Sequence, residues 1–414
     1  MSDQLLSGKR VLLGVTGGIA AYKAADLCSK LAQAGAQVDV IMTEAATRFV
    51  GPLTFSALSG RPARVDMWTA PGGDPIPHVH MAAAADLAIV APLSANTLAK
   101  LALGLADNLL TATLLATEAP LVLAPAMESH MWSNPVTQAH AKTLRKRGAV
   151  QVGPGVGRLA SSALGAGRMA EPVEILAAAR GVLARSGPLA GRRVVVTAGG
   201  TQEPLDPVRY ITNASSGKMG VALAEAARDL GAEVTLVHAP LAVPGPYGVE
   251  RVSVRTAIEM RDAVLALAPA TDILIGAAAV ADFRPADPAA QKIKKTPGQA
   301  ALTIELVRNP DILAEVAALR AEIGRPAVVV GFAAETQDLL ANATAKLAAK
   351  RLDMIVANDV TDPGSGFGSD TNQITLLYAD GRVEALPLAS KGEVAERVLD
   401  AAVASMGDGG LAPG

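Results

Sequence analysis

Short, almost wholly apolar runs alternate with helical patterns along nearly the whole chain. "RVLLGVT" (Arg10–Thr16), "AQVDVIMT" (Ala36–Thr43), "DLAIVAP" (Asp86–Pro92) and "PLVLAPAM" (Pro120–Met127) read as buried strands. Apolar runs of this length fit strands covered on both faces, as in a parallel sheet. The segments between them, such as "AAYKAADLCSKLAQAG" (Ala20–Gly35), carry helix formers and close on glycine, which accepts the left-handed turn that ends a helix. The succession predicts a βαβ series and hence a doubly wound parallel sheet.

The pattern restarts after "RSGPLAGRR" (Arg185–Arg193), whose glycines and proline suit a linker. "RVVVTAGGT" (Arg193–Thr201) mirrors the first strand and turn. "AEVTLVHAP" (Ala232–Pro240), "DILIGAAAV" (Asp272–Val280), "AVVVGFAAE" (Ala327–Glu335) and "DMIVAND" (Asp353–Asp359) continue a second sheet. "NQITLLYADGRVEALPL" (Asn372–Leu388) predicts a terminal hairpin turning at Asp380-Gly381. The division expected is a first α/β domain over 1–184, a linker over 185–190, a second α/β domain over 191–406 and a disordered tail over 407–414.

Composition sharpens this picture. A chain of 414 residues is too long for one ordinary core. Half of it is hydrophobic but only 3% aromatic, so alanine, valine and leucine carry the burial. The net charge of −2, with both signs interspersed, argues against bulk nucleic-acid binding. The single cysteine, Cys28, excludes an intramolecular disulfide and a zinc cluster and fits a reducing compartment. The N-terminal stretch lacks the make-up of a secretory signal, and no apolar run approaches the length of a spanning helix. A soluble, cytoplasmic protein is expected.

Both first strands end in glycine turns. "GVTGGIAAYKAA" puts Thr16, Gly17 and Gly18 between a strand and a helix, where backbone N–H groups can approach a phosphate. Thr43 ends the second strand, and Ser94, Asn96 and Thr97 stand where the third meets its helix. These strand ends suggest a mononucleotide; the absence of G-x-G-x-x-G argues against a dinucleotide and a dehydrogenase.

The first half resembles the homo-oligomeric flavin-containing cysteine decarboxylases through "GVTGGIAAYKA", "MTEAA", "HVHMAAAADLAIVAPLSANTLAKLALGLADNLL" and "PAMESHMW". The second half resembles phosphopantothenate–cysteine ligases through "TAGGTQEPLDPVRYITNASSGKMG", "AAAVADFRP", "KIKK", "NPDIL" and "GFAAET". Order and seam are similar to the bifunctional enzymes of coenzyme A biosynthesis, over almost all of Gly8 to Val403. The resemblance implies a flavodoxin-like first domain and a Rossmann-like second one. It implies FMN on Thr16, Gly17, Gly18, Thr43, Ser94, Asn96, Thr97 and Met127, and His78 as a catalytic residue, with His80 left to a structural role. It also implies a homo-oligomer, with a trimer-based decarboxylase core and dimeric ligase domains.

Two positions depart from that pattern. Glu128 stands in "PAMESHMW" where the family offers asparagine, and "GRLASSALGAGRM" (Gly157–Met169), a mobile loop by composition, matches the substrate flap with Ser161 in place of its cysteine. Arg168 in the same motif is implied to bind substrate. Decarboxylation next to a thiol needs an electron sink, which oxidation of the thiol to a thioaldehyde supplies; the product then requires reduction and a proton. A serine hydroxyl is a far poorer acid than a thiol. Three routes stay open: Glu128 as donor with its pKa raised by burial, water or another flap group with Ser161 orienting, or a reaction that stops at the ene-thiol. Glu128 as a simple helix cap pointing away is the plain structural reading.

For the second half the resemblance implies that phosphopantothenate attacks the α-phosphate of CTP, with Mg²⁺, and that cysteine then displaces CMP. It places Lys292 and Asn213 in catalysis. It places Arg209, Ser215, Ser216, Gly217, Lys218, Ala278, Ala279, Asp282, Pro310, Asp311, Ile312, Leu313, Phe332, Lys346 and Lys350 in substrate or nucleotide binding; metal ligands are not identified. The lysine-rich loop after Pro285 is expected to be mobile before CTP binds. Without the resemblance, Ser215-Ser216 reads as a helix cap, and Lys346 and Lys350 as one solvated helix face. The competing readings are a flavoprotein binding or regulatory subunit and a peptidyl-cysteine decarboxylase; a fused ligase half disfavours both for the whole chain, and the alternative kept is an active ligase fused to a flavoprotein domain that is non-catalytic or stops at the ene-thiol.

Overall fold

A computed structural model describes residues 5–68, 74–294, 301–335, 339–359 and 368–406. The tail expected to be disordered lies outside them. The chain divides into two compact units, Met1–Ala184 and Arg185–Gly414.

In the first unit, β1 (Arg10–Val15), β2 (Gln37–Met42), β3 (Leu87–Leu93), β4 (Leu121–Pro125) and β5 (Val150–Gln151) form a parallel sheet in the order β2-β1-β3-β4-β5. All seven residues of β3 are buried, as expected of a strand covered on both faces. The chain winds outward from β1 in both directions, so a crevice opens between the C-terminal ends of β1 and β3, the switch point of a flavodoxin-like sheet. A hairpin of β6 (Gly155–Arg158) and β7 (Leu164–Arg168) follows.

The second unit carries β8 (Arg193–Ala198), β9 (Gln202–Pro204), β10 (Tyr210–Thr212), β11 (Glu233–His238), β12 (Glu250–Ser253), β13 (Ile273–Gly276), β14 (Phe283–Pro285), β15 (Leu306–Arg308), β16 (Val328–Glu335), β17 (Met354–Asp359), β18 (Thr371–Asn372), β19 (Ile374–Tyr378), β20 (Val383–Ala385) and β21 (Ala389–Ser390). Its main sheet runs β12-β11-β8-β13-β16-β17-β19-β20, antiparallel only beyond β17. This Rossmann-like order places the switch point between β8 and β13. The expected hairpin at Asp380-Gly381 is β19–β20.

Strand periodicity builds two cores here. Val194, Val196, Ile273, Ile275, Val328 and Val330 face helices Lys218–Asp229 and Lys391–Ser405. Val195, Leu274, Val329 and Ile355 face helices Ala257–Leu267, Ile312–Ile323 and Leu339–Ala349. Successive side chains point to opposite faces, so one apolar run feeds both layers. Leu189, in the stretch read as linker, is fully buried in the first of these cores and donates its N–H to Leu230 O at 2.9 Å. Burying a leucine contributes about 1.5–3 kcal/mol, which ties the end of that stretch to the second unit.

One device recurs at the N-terminal edges of the sheets. Asp86, Asp272 and Asp353 open apolar runs, and each accepts an N–H from the neighbouring strand: Arg10 at 2.8 Å, Arg193 at 2.8 Å and Val329 at 2.7 Å. Each returns its own N–H to that residue's carbonyl. The carboxylate thus satisfies a donor that the ladder leaves over. The Arg10 amide, then Lys9, holds the Asp86 carboxyl below its usual pKa. A depressed carboxylate stabilises the fold above its unfolded pKa and loses that effect as pH falls through the folded value. Asp86→Ala is therefore expected to cost about 1–3 kcal/mol at pH 7, with the difference from the wild type shrinking below about pH 4; denaturant unfolding at pH 7 and pH 3 checks it.

Candidate active sites at the two switch points

The glycine turn after β1 is shaped by close packing. A Cβ on Gly17 would stand 2.6 Å from the Ala45 Cβ, whereas one on Gly18 would meet nothing within 4 Å. Gly18 therefore borders open space at the mouth of the crevice. Helix Ala21–Gln33 begins there with no side-chain cap on Ala20, its Ala21 and Lys23 amides donating to Gly18 O and Ala20 O at 3.0 Å, so that an anion would meet the amides of the glycine turn before it.

Thr16 is committed internally. It is buried, its hydroxyl donates to Pro92 O at 2.7 Å, and it accepts the Ser94 N–H at 2.9 Å. Thr43 caps helix Glu44–Thr47, accepting from Ala46 at 3.3 Å, and Ser94 caps helix Ala95–Leu103, accepting from the buried Thr97 at 3.3 Å. Asn96 is exposed. These residues gather on one sheet edge; Thr16, Thr43 and Ser94 shape it through their caps and crosslinks.

The two histidines differ in their surroundings. His80 Nδ1 lies 2.9 Å from Asp74 Oδ1. His78, in the first turn of helix Pro77–Ala84, has a buried Nδ1 with no partner among the described residues. Arg64 has a similarly buried and unpartnered Nη1, and its backbone pairs beside Ile41 at the end of β2. Sequence reading passed over Arg64, because neither a motif nor a charge run marks it.

"GRLASSALGAGRM" forms β6, a tight turn and β7 rather than a loop. Met127 donates to Gly167 O at 3.0 Å. A Cβ on Gly167 (φ 154°) would stand 2.2 Å from Met127 O, and one on Gly165 would stand 2.4 Å from Ser129 Oγ. The two glycines let the hairpin lie directly on the turn after β4. Ser161 is exposed at the hairpin tip. Arg168 pairs with Glu171 at 3.1 Å, which also holds Lys23 at 2.8 Å. Cys28 is buried within helix Ala21–Gln33, and burial pushes its thiol up to about 11.

Glu128 departs from the donor expectation. It caps helix Ser129–Ser133, accepting the His130 N–H at 2.6 Å. Burial acts to raise its pKa, but that amide and the nearby His130 ring outweigh it, and the carboxyl lies below its ordinary range. A carboxylate so held is ionised at neutral pH, the reverse of a raised proton donor. The physical reason is local: the chain turns into a helix at this point, and the nearest free amides claim the side chain.

In the second unit, β9 and β10 form an arm between β8 and helix Lys218–Asp229. Thr197 and Thr201 accept the N–H groups of Ala278 at 3.1 Å and Ala281 at 2.9 Å. Ala278 and Ala279 thus line the crevice through their backbone. Asn213, at the base of the arm, donates to Val280 O at 3.1 Å and Ala279 O at 3.4 Å. Gly217 (φ 76°) opens helix Lys218–Asp229 without a side-chain cap. Ser215 and Ser216 accept the N–H groups of Gly217 and Lys218 at 3.4 and 3.5 Å. The Lys218 amine pairs with Asp370 at 2.6 Å.

Asp206, at the tip of the arm, escaped sequence reading. Its side chain is fully buried, and Arg209 reaches it at 2.5 and 3.0 Å. The Val208, Arg209 and Ile293 amides reach it at 2.8, 2.9 and 3.1 Å. The Arg209 guanidinium, opposed by burial and aided by those amides, holds its carboxyl far below the usual range. The loop expected to be mobile is therefore tied down as far as Ile293, which carries the exposed Lys292 beside it; residues 295–300 lie outside the described residues.

Asp282 is exposed, with its carbonyl accepting from Asn309 at 2.9 Å; Pro310 follows that asparagine directly. Asp311 caps helix Ile312–Ile323 and pairs with Lys350 at 3.0 Å. Ile312 is buried, and Leu313 lies under Gly276 and Gly331. Phe332 is partly buried against the core, and Lys346 is on the exposed side of helix Leu339–Ala349. Among the described residues, no three His, Cys, Asp or Glu side chains are grouped to hold a metal ion, and no helix is long and apolar enough to cross a membrane. A cavity of about 370 Å³ opens at the opposite edge of the first sheet, near Lys100, Thr117 and Arg147, away from these residues.

Two switch-point crevices on two doubly wound units define a fused α/β protein of the two-domain class. Residues 1–184 match the flavoprotein family, and 189–406 match the DNA/pantothenate metabolism flavoprotein C-terminal domain. The chain is 49% identical over 396 residues to the coenzyme A biosynthesis bifunctional protein CoaBC of Vibrio cholerae, covering 96% of this chain and 98% of that one. It is similar to a solved C-terminal domain of a CoaBC protein (40% identity, 54% of this chain and 99% of that one, TM-score 0.45). It is also similar to a solved PPC decarboxylase mutant complexed with pantothenoylaminoethenethiol (38% identity, 42% and 97%, TM-score 0.38). The chain belongs to the bifunctional coenzyme A biosynthesis protein family.

Gly167→Ala is expected to undock the hairpin, since overpacking of this kind costs about 1–3 kcal/mol. Amide exchange at Met127 should then quicken by about tenfold or more, measured by hydrogen–deuterium exchange against an unchanged β1.

Proposed function

We propose that the chain catalyses two steps of coenzyme A biosynthesis. Its second unit joins 4'-phosphopantothenate to cysteine at the expense of CTP, and its first unit converts phosphopantothenoylcysteine to 4'-phosphopantetheine with FMN. The observation that carries this reading is the pairing of two switch-point crevices, one bordered by Gly17 and Gly18, the other by Gly217 and Asn213. The setting is a soluble, cytoplasmic homo-oligomer, built on decarboxylase trimers and ligase dimers.

The residues of the first crevice fit a flavin mononucleotide. The glycine turn before helix Ala21–Gln33 faces open space over Gly18 and would take the phosphate on its amides, while Thr43, Ser94, Asn96, Thr97 and Met127 border the remainder. When bound, the flavin supplies the two-electron oxidation, and its reversal, that lets the carboxylate next to a thiol-bearing carbon leave as CO₂. His78 Nδ1, buried without an internal partner, can hold the proton that the substrate thiol gives up. The hairpin docked on Met127 excludes water, and Arg168 on its second strand presents a cation to the substrate. Glu128 holds the helix start that supports the hairpin. The final proton then comes from water or another group of the hairpin, with Ser161 orienting it.

In the second crevice a substrate carboxylate oxygen bonds to the α-phosphorus of CTP and pyrophosphate leaves. The cysteine amine then attacks the acyl carbon of this acyl-cytidylate and CMP leaves. Lys292 opposes the charge that builds on the phosphates in the first step, with magnesium arriving on CTP. Asn213 positions the acyl-cytidylate for turnover. The turn at Gly217, with the Ser215 and Ser216 hydroxyls, takes phosphate oxygens. Arg209 and Lys218 add positive charge, while Asp282, Pro310 to Leu313, Phe332, Lys346 and Lys350 surround the nucleotide.

A single incubation of the full-length protein with phosphopantothenate, cysteine, CTP and Mg²⁺, read by mass spectrometry, should yield phosphopantetheine. Accumulated phosphopantothenoylcysteine would show an inactive first unit, and a product lighter by two hydrogens would show a reaction halted at the ene-thiol. Lys292→Gln should slow pyrophosphate release by about 10²–10³-fold. Glu128→Gln should still give phosphopantetheine, at a rate within about tenfold of the wild type, since it removes a cap worth about 1 kcal/mol; loss of the reduced product would restore Glu128 as donor.

A further inference from the structure

We infer that Asp206 is a positioning residue for the ligase reaction, setting the place of Lys292 by clamping the backbone beside it. This inference rests on the role given to Lys292 above.

The arm from Gln202 to Thr212 is held rigidly at its base. The buried Glu203 accepts the Ala257 N–H at 3.0 Å, and Gln202 donates to Arg255 O at 2.8 Å. At its tip the chain folds back, with Leu205 donating to Arg209 O at 2.9 Å. That turn closes around the Asp206 carboxylate, whose Oδ1 takes the Val208 and Arg209 amides. Oδ2 takes the Arg209 guanidinium and the Ile293 amide, 87 positions away. The guanidinium completes a ring by donating to Ile293 O at 2.9 Å. Both backbone polar groups of Ile293 are thus fixed by the Asp206–Arg209 pair, and Ala289 is fixed by Leu205 O at 2.9 Å. Two tethers four residues apart leave the intervening segment little freedom, and Lys292 lies between them.

A long, flexible ammonium side chain gains orientation only from the backbone that carries it. No hydrogen bond of the Lys292 side chain competes with this among the described residues. A buried carboxylate also needs all its lone pairs satisfied, so Asp206 cannot release Ile293 without being left short. The clamp therefore acts as a unit. Displacing a reacting group by about 1 Å costs on the order of a hundredfold in rate, so loosening the clamp should be felt in catalysis before it is felt in binding.

The test is a double-mutant cycle on the full-length protein, read as pyrophosphate release at saturating CTP, Mg²⁺ and phosphopantothenate. Asp206→Asn keeps the shape but turns an acceptor toward donors, and should cut kcat by about a hundredfold with little change in the KM for CTP. Added to Lys292→Gln it should cut the rate by less than about threefold further, because residues acting as a unit are non-additive. Amide exchange at Ile293 should quicken in Asp206→Asn and stay unchanged in Lys292→Gln. Equal losses in both backgrounds, or a full rate with Ile293 released, would overturn the positioning role. A wild-type rate in Lys292→Gln would instead overturn the role of Lys292, and the inference with it. Should Asp206→Asn fail to fold, Asp206→Glu, which keeps the charge but moves the carboxylate off the Ile293 amide by one methylene, carries the same cycle with the same two outcomes.

Discussion

Both crevices depend on buried threonine hydroxyls at the place where neighbouring strands part. Beyond the ends of β1 and β3 the chain turns to opposite faces of the sheet, and the ladder stops supplying partners. Thr16 bridges the gap by donating to Pro92 O and accepting from Ser94. In the second unit Thr197 and Thr201 accept the Ala278 and Ala281 amides across the corresponding gap. A hydroxyl suits the position because it both gives and takes a hydrogen bond in little space. The opening is thereby held at a defined width, and the glycine turns and helix starts on either side face into it. Without that bridge the strand ends would carry unpaired backbone groups in a buried setting, and the mouth of the site would have no fixed shape.

The hydroxyls that make the site rigid are for that reason less free to serve a ligand. Thr16, Thr43 and Ser94 each spend their side-chain oxygen on the protein. What stays open beside them is the space over Gly18 and the buried Nδ1 of His78, which has no partner among the described residues. The second crevice follows the same division. There Ser215 and Ser216 accept the Gly217 and Lys218 amides, so the helix start is tied to the two residues before Gly217.

The hairpin over the first crevice shows how small residues can be structural. Read as composition, its glycines and alanines describe a loop. Against the turn after β4, Gly165 and Gly167 are the residues that permit contact at backbone distance. The same contact fixes Glu128 at a helix start, where its carboxylate meets an amide rather than an apolar wall. The hairpin, its supporting turn and the low pKa of Glu128 are one arrangement.

Much was legible along the chain. Apolar runs opened by aspartate marked β3, β13 and β17, and glycine turns marked the ends of β1 and β8. These signals are local: a strand's burial, a helix start and a turn depend on residues within a few positions of each other. What the tertiary structure alone decided involves partners far apart in sequence. Asp206 meets Ile293 across 87 positions, Arg64 sits beside Ile41 with a buried, unpartnered nitrogen, and Lys218 is drawn to Asp370. A single carboxylate or cation in a sequence carries no mark of the donor it will face. Its pKa, its freedom and its use are set by neighbours that only folding brings within hydrogen-bond reach.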